Sequence, residues 1–349
     1  MVPNRQLRSQ REYESIDLLR AAFGVRFDGA PGARLFDRLE WFDMLARHCF
    51  ADARLVIGHA GESEGTGSAL LPLVECGDHL EALANWYSFS FAPLFFDVAP
   101  EHREKLLTDI ARQVRASDGQ IHLYPVLDED GTASRVARAF RNAGWLVSMR
   151  LAGHNHLLRL RGRDFAAYWA DRPGILRNRV KRKGRGHAFT FHIHDRCSEA
   201  LWQDYCAVYA TSWKPEEPSP ALLRALAEDA GTRGALRLGF AMKDGIPVAT
   251  QLWTIEGDTA LIHKLAHDRS QDAESPGTLL SHHMFAHAID RDHVTAIDYG
   301  TGDNDYKREW MEEERPMWRI DCYDPRRAAQ WLPAAKAMIS GLVARIKGR

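Results

Sequence analysis

Hydrophobic and polar residues alternate along the chain with two spacings, one typical of helices and one typical of strands. In the first half, apolar residues recur every three or four positions over 34–50, which predicts an amphipathic helix. Short apolar runs bounded by Gly, Asp or Asn then predict strands, and Pro100 is placed to begin a second helix. The predicted elements are a helix at 34–50, strands at 54–59, 69–75 and 86–91, a helix at 100–114, a strand at 121–127, a helix at 136–143 and a strand at 145–151.

The second half repeats this order of elements. Asp244-Gly245 and Gly257-Asp258 are turn signals that separate three antiparallel strands. The predicted elements are helices at 201–213 and 219–230, strands at 234–242, 246–255 and 259–267, a helix at 277–290, a strand at 294–299, a helix at 305–312 and a strand at 316–322. We therefore predict an α+β fold in two copies, at 1–160 and 161–349, each with a mixed, mostly antiparallel sheet flanked by helices.

Composition narrows the class of protein. The chain has 349 residues, with 46 Lys and Arg against 47 Asp and Glu and 45% hydrophobic residues, so a globular core is expected and a general attraction to DNA is not. The five cysteines form no CxxC pair, and no Cys-rich metal site is predicted. Without an apolar leader or a run of about 18 apolar residues, the chain is predicted to be cytoplasmic, without a transmembrane segment.

Two charged or amphipathic segments each leave two interpretations open. The basic stretch 177–185 predicts either a helix that contacts phosphates of RNA or a nucleotide, or a solvated helix face. The segment 328–346 predicts an amphipathic helix, for which docking on its own domain is favoured over lying on a membrane.

The residues most suggestive of chemistry fall between 251 and 311. A predicted strand ends at Lys264-Leu265-Ala266, and Ser275-Pro276-Gly277-Thr278 begins the next helix. The unpaired N–H groups of a helix N-terminus suit a pyrophosphate, and a glycine there permits close approach. An ordinary capped helix start is the alternative interpretation of these four residues.

A second group of polar side chains follows the predicted strand at 294–299. The stretch 298–311 brings carboxylates, a phenol and an ammonium into one short Gly-rich loop and helix. Asp303-Asn304-Asp305 also fits a DxD metal motif, although helix capping is the favoured role. His283 and His287 have the spacing of a zinc pair but lack the glutamate of HExxH, so no metal site is predicted.

Taken in order, these motifs resemble the GNAT-type acetyltransferases associated with bacterial cellulose and exopolysaccharide biosynthesis. The resemblance covers 164–322, and Fem-type peptidoglycan transferases share its tandem layout. His267 differs, since the family often has Tyr there. The motifs are Leu176-Arg177-Asn178, Ser212-Trp213-Lys214, Leu236-Arg237-Leu238-Gly239, the run 247–253, Lys264-Leu265-Ala266 with Asp268, Ser275-Pro276-Gly277-Thr278, and Asp298-Tyr299-Gly300 through Tyr306-Lys307 to Trp310-Met311.

The resemblance implies a tandem GNAT fold in which two strands splay apart and the pantetheine of acyl-CoA inserts between them. Acetyl-CoA or another acyl-CoA would be a co-substrate, with no tightly bound cofactor. Asp298 and His263 are the predicted general bases, Tyr306 the general acid, and Lys307 or the backbone of 264–268 the oxyanion donor. The predicted cofactor-binding residues are Lys264, Leu265, Ala266, Ser275, Pro276, Gly277 and Thr278, and the predicted substrate-binding residues are Gln251, Trp253, Asp268 and Asp303.

The sequence therefore predicts an acyl-CoA-dependent N-acyltransferase. Its acceptor would be the amine of a small molecule or a glycan precursor, linked to polysaccharide or cell-envelope biosynthesis. One alternative is a Fem-like transferase that uses aminoacyl-tRNA, with RNA as a partner. Another is a non-catalytic partner in a polysaccharide-production complex.

Overall fold

A computed structural model describes residues 10–23, 34–61, 67–116, 119–186, 188–302 and 305–347. The chain divides into two compact units: Met1–His154 together with Pro316–Arg349, and Asn155–Arg315. We refer to them as the first and second unit. That the chain repeats one fold at 1–160 and 161–349 stays a prediction. In the structure, residues 316–349 pack with the first unit.

The structure contains each predicted helix and strand except the strand at 86–91, and it adds several elements that the sequence did not predict. In chain order the helices and strands are β1 (Gln10–Tyr13), α1 (Ile16–Phe23), α2 (Leu39–Cys49), β2 (Leu55–Gly61), β3 (Ser68–Cys76), β4 (His79–Ala82), β5 (Leu94–Phe96), α3 (Arg103–Gln113), β6 (Gln120–Val126), α4 (Thr132–Asn142) and β7 (Leu146–Arg159). They continue with α5 (Phe165–Ala170), α6 (Gly174–Gly184), β8 (Thr190–His194), α7 (Glu199–Ala210), α8 (Pro220–Thr232), β9 (Leu236–Lys243), β10 (Ile246–Glu256), β11 (Thr259–His267), α9 (Pro276–Asp290), β12 (Ala296–Thr301), α10 (Asp305–Trp310), β13 (Glu313–Tyr323) and α11 (Trp331–Lys347).

The sheet of the first unit has the strand order β1-β2-β3-β4-β6-β13, with β5 on a separate stretch of β3. Helix α3 packs against β2, where Gly58 permits a very close approach. A Cβ at Gly58 would lie 2.5 Å from Cγ2 of Ile110, closer than packed atoms come. The apolar faces of α3 and α4 are buried, as their helical periodicity predicts.

The sheet of the second unit has the order β7-β12-β11-β10-β9-β8. Among the strand pairs described in this unit, β11 and β12 run parallel and the others antiparallel. Helix α9 connects the two parallel strands, as such pairs require. Its Phe285 stacks on Tyr168, with ring centroids 5.6 Å apart, and contacts Trp253 and Trp310. The predicted α+β class with mostly antiparallel sheets is confirmed.

The element prediction is wrong at 86–91, and it lacks β1, α1, β4, β5, α5 and β8. The segment 86–91 is not a strand, because the backbone turns there. Oδ1 of Asn85 accepts from the N–H of Tyr87, and the backbone carbonyl of Asn85 accepts from the N–H of Ser88. An asparagine that satisfies nearby N–H groups favours a turn over a strand. Strand β8 is a five-residue edge strand in which the half-buried Phe191 and Ile193 alternate with polar residues, a pattern too short to stand out in the sequence.

Helix α11 contacts the first unit through small residues. Ala334 is fully buried, and the hydroxyl of Ser148 donates to the carbonyl of Ala337 over 3.1 Å. The sequence places this helix in the second half and predicts docking there, but the structure packs it with the first unit instead. Within the described parts of the chain, no helix combines the length and apolarity that crossing a bilayer requires.

Candidate functional site

The second unit opens between its two parallel strands. Pairing of β11 with β12 begins at Thr259 opposite Ala296 and ends at Leu261 opposite Asp298. Both strands continue further, and each keeps a partner on its other side: His267 of β11 lies opposite Ala249, and Thr301 of β12 opposite Asn155. Among the residues described, pairing of the two strands therefore stops after Leu261, which leaves a gap between their carboxyl-terminal parts.

A β-bulge lies beside this gap. The register of β10 and β11 places Lys264 opposite Leu252 and Ile262 opposite Trp253, so His263 is the extra residue. Its Nε2 lies 2.9 Å from Oγ1 of Thr254. Burial, assisted by the charge of Lys264, lowers the pKa of His263 to about 3. A base of such low pKa accepts protons poorly near neutral pH, which disfavours the predicted role of His263.

Asp298 lies where the pairing of β11 and β12 ends, and its carboxylate accepts hydrogen bonds from three residues. Its carboxylate accepts from Arg315 over 2.5 Å, from the amide of Asn155 over 3.1 Å and from the N–H of Gly300 over 2.8 Å. Burial raises its pKa, and Arg315 opposes this rise. The contacts give Asp298 one fixed position at the end of the strand pairing.

The N-terminus of α9 forms one wall of a cavity of about 330 Å³. Ser275 precedes the helix in the left-handed conformation, with φ of 56°, and Pro276 is its first residue. A Cβ at Gly277 would lie 3.0 Å from Nδ1 of His267, so a glycine suits this crowded position. The residues that line the cavity are Arg179, Trp213, His267, Asp272, Ser275, Gly277 and Thr278.

The structure thus brings together three predicted cofactor-binding residues, Ser275, Gly277 and Thr278, and adds others that the sequence left unassigned. The ring of His267 lies 4.6 Å from that of Trp213, and its Nε2 lies 2.7 Å from Asp272. The sequence identifies Trp213 only as part of a motif, with no role assigned to it. The signal that could have identified Trp213 is its pairing with Lys214 in the loop between two helices, because an aromatic ring next to an ammonium is a common ligand-binding combination.

Two half-buried lysines, Lys214 and Lys264, lie at the same end of the sheet. Lys264, predicted to bind the cofactor, makes an ion pair with Glu217 over 2.6 Å. Burial and the charge of Lys264 lower the pKa of Lys214 to about 8, and Glu217 opposes this shift. The ammonium of Lys214 lies 5.8 Å from the ring centroid of Trp213, which lines the cavity. The site is therefore suited to anionic groups.

Helix α10 brings Tyr306 and Lys307 to the end of β12. The carbonyl of Trp310 accepts from the hydroxyl of Tyr168 over 2.9 Å and from Arg172 over 3.1 Å, which anchors the helix. The Nζ of Lys307 donates to the carbonyls of Tyr299, over 3.0 Å, and Thr301. Burial lowers the pKa of Lys307 to about 8.

The exposed ring of Tyr306 lies 5.8 Å from the ring of Tyr299. Unlike Lys307, it presents its side chain at the surface of the unit, beside the end of β12. Its predicted role as general acid stays a prediction, and its exposure leaves the phenol accessible to a substrate.

The predicted substrate-binding residues have different surroundings. Gln251 donates to the hydroxyl of Ser281 over 2.7 Å and accepts from the indole N–H of Trp253 over 2.9 Å, and both side chains are buried. They connect β10 to α9, so contact with substrate stays a prediction. The carboxylate of Asp268 accepts from the N–H of Ser270. Asp303 lies outside the described residues.

The remaining predicted residues lie in or near the core. Leu265 packs against the hydrophobic core, and Ala266 is buried within it. Pro276 is buried at the start of α9. His283 stacks on Phe191 with centroids 5.2 Å apart, which matches the packing role favoured for the His283 and His287 pair.

Comparison with known proteins gives this site a family context. Residues 171–308 match the family model described as an acetyltransferase (GNAT) domain. This match covers less than half of the chain. The predicted enzyme class, a GNAT-type N-acyltransferase, is confirmed. No curated protein matches the chain.

Solved structures show the same fold over both units. FemX has a TM-score of 0.61 at 11% identity, covering 93% of this chain and all of that one. The C-terminal domain of a putative lysylphosphatidylglycerol synthetase from Agrobacterium fabrum has a TM-score of 0.56 at 14% identity, covering 86% of this chain and 91% of that one. A tandem GNAT protein from the clavulanic acid biosynthesis pathway has a TM-score of 0.50 at 11% identity, covering 89% of this chain and 97% of that one. The predicted tandem GNAT-like fold is confirmed.

Proposed function

We propose that this enzyme transfers an acyl group from acyl-CoA to an amine acceptor in the gap between β11 and β12. The observation that carries the proposal is the end of strand pairing at Leu261 and Asp298, next to the open N-terminus of α9. The pantetheine arm would enter the gap, and the pyrophosphate would accept from the N–H groups at Gly277 and Thr278. Arg179 and Lys214 supply positive charge nearby.

The reaction joins the acceptor nitrogen to the thioester carbonyl carbon and breaks the bond from carbon to sulfur. N–H groups of β11 beyond Leu261 that point into the gap would donate to the oxyanion. The amine loses its proton to a base, for which Asp298 is favoured over His263 because burial raises the pKa of Asp298, against the opposing charge of Arg315, and lowers that of His263 to about 3. The phenol of Tyr306 would give a proton to the departing thiolate.

Binding of acyl-CoA tests this proposal directly. Titration calorimetry and thermal unfolding should be run with CoA, acetyl-CoA and longer acyl-CoAs. We expect a ligand at about 100 times its Kd to stabilise the protein by about 2.7 kcal/mol. Release of free thiol with a panel of amines, including amino sugars, then identifies the acceptor. Absence of binding by every acyl-CoA at millimolar concentration would contradict the proposal and favour the non-catalytic alternative.

Aminoacyl transfer from tRNA is a second candidate. Helix α6 carries Arg177, Lys181 and Arg182 at exposed positions, while its Arg179 lines the cavity. FemX and the lysylphosphatidylglycerol synthetase domain share the fold. A tRNA-dependent enzyme should bind RNA with an affinity that falls steeply as salt rises, and Arg182→Gln should reduce that slope. Transfer from acetyl-CoA without RNA would decide against this candidate.

The acceptor class is proposed from the resemblance to exopolysaccharide-associated acetyltransferases. A glycan precursor that carries a free amine fits both this resemblance and the exposed position of Tyr306. The link to polysaccharide or cell-envelope biosynthesis is supported by these points alone and stays a proposal.

We expect the affinity for acyl-CoA to fall as pH rises from about 7 to about 9. Because the pKa of Lys214 is about 8, its ammonium is mostly charged at the lower pH and mostly neutral at the higher. Losing one charged contact to a phosphate costs about 1.5–3 kcal/mol, so Kd should rise roughly tenfold or more. Calorimetry across this range measures the effect.

Lys214→Met should remove most of this pH dependence, and Lys307, whose pKa is also about 8, accounts for what remains. Lys105→Met is the matched control, since Lys105 is exposed on α3 in the first unit. If Lys214→Met keeps the full pH dependence, Lys214 does not contact the ligand.

A further inference from the structure

Helix α11 exposes four large apolar residues. The exposed fractions are 61% for Trp331, 65% for Leu332, 43% for Met338 and 63% for Ile339. At 100° per residue these four positions fall on one face of the helix, and Ala335 lies between them. Ala337, whose carbonyl accepts from Ser148, lies on the opposite side, and the buried Ala334 lies between Ala337 and the stripe. Over residues 331–339 the helix therefore docks by alanines and turns an apolar stripe outward.

The charge around this stripe has one sign. Residues 325–349 contain six Lys and Arg and no Asp or Glu, in a chain whose total charge is −1. Lys336 is exposed at the edge of the stripe. The side chain of Arg326, just before the helix, is 63% exposed although it pairs with Asp324. A basic segment that exposes Trp, Leu, Met and Ile residues matches the chemistry of an anionic lipid surface.

We propose that the outer face of α11 binds the surface of an anionic lipid bilayer, with Trp331, Leu332, Met338 and Ile339 entering the headgroup region. The helix lies along the surface, and Lys336 remains at the level of the anionic headgroups. Apolar burial and electrostatic attraction then act together, as in other interfacial helices. This binding site is separate from the acyl-transfer gap and does not depend on the proposed reaction.

A second copy of the chain is a less suitable occupant. Two copies that met through this face by two-fold symmetry would place the cationic segment against itself. Like charges in contact oppose such an interface, and residues 325–349 supply no carboxylate to relieve them. The charge pattern therefore favours an anionic surface over self-association.

Vesicle co-sedimentation with the full chain tests the proposal. Vesicles of phosphatidylcholine with about 30% phosphatidylglycerol should bind the protein at least tenfold more tightly than pure phosphatidylcholine vesicles, and added salt should weaken this binding. The double variant Leu332→Glu with Ile339→Glu should lose at least tenfold of the affinity. Lys336→Glu should lose several-fold, through charge alone.

Ile246→Glu is the matched control, because Ile246 is 65% exposed at the turn between β9 and β10 in the second unit and should not change vesicle binding. Equal binding of the double variant, or no preference for anionic vesicles, would overturn the proposal. So would a dimer, seen by light scattering, that the double variant abolishes. Acyl-CoA titration of the same variants shows that loss of vesicle binding and loss of the proposed function are separate outcomes.

Discussion

Arg315→Met should lower the free energy of unfolding by about 3–5 kcal/mol. Arg315 and Asp298 form a buried ion pair over 2.5 Å, with side chains 9% and 6% exposed. Removing the guanidinium leaves a buried carboxylate without its counter-charge, which is a far larger cost than loss of an exposed pair. Urea unfolding monitored by circular dichroism measures the difference.

The matched control is Arg308→Met. Arg308 lies 3.5 Å from Glu314 in the same unit, but the two side chains are 50% and 46% exposed, so we expect a loss below about 1 kcal/mol. Replacing both partners of the buried pair, by Arg315→Met with Asp298→Leu, should recover much of the stability, because no charge is then left uncompensated. Equal losses for Arg315→Met and Arg308→Met would show that the buried pair does not hold the end of β12.

Gly277→Leu should weaken acyl-CoA binding at least about 100-fold, with the fold retained. Gly277 lines the cavity, and a Cβ there already meets the ring of His267 at 3.0 Å. A leucine side chain must displace that ring or fill the space proposed for the pyrophosphate. Losing two charge-assisted hydrogen bonds from the start of α9 costs about 3 kcal/mol or more, which corresponds to about two orders of magnitude in Kd.

Gly174→Leu is the control for the added side chain. Gly174 also begins a helix, α6, but a Cβ there meets no described atom within 4 Å. We expect its Kd for acyl-CoA to match that of the unmodified protein, and thermal unfolding verifies both folds. A Kd for Gly277→Leu within threefold of the original would place the pyrophosphate elsewhere.

The expected location of the site could be read from local patterns. The prediction of β11 agrees with the structure at both ends, and α9 begins one residue before its predicted start. Alternation, turn residues and the Pro276-Gly277 start are local features, and a strand followed by such a helix implies a crossover to a parallel strand. The separation of the two strands was an expectation from family resemblance, and the register shows it.

The sequence by itself determined most of the longer elements, their order and the α+β class, because periodicity and turn chemistry depend on neighbouring residues. Only the tertiary structure decided which side chains meet. Arg315 pairs with Asp298, His267 lies against Trp213, and these partners come from different elements. Burial, which raises the pKa of Asp298 and lowers that of His263, likewise depends on the packed fold. No spacing along the chain encodes such contacts, since they arise only when separate elements pack together.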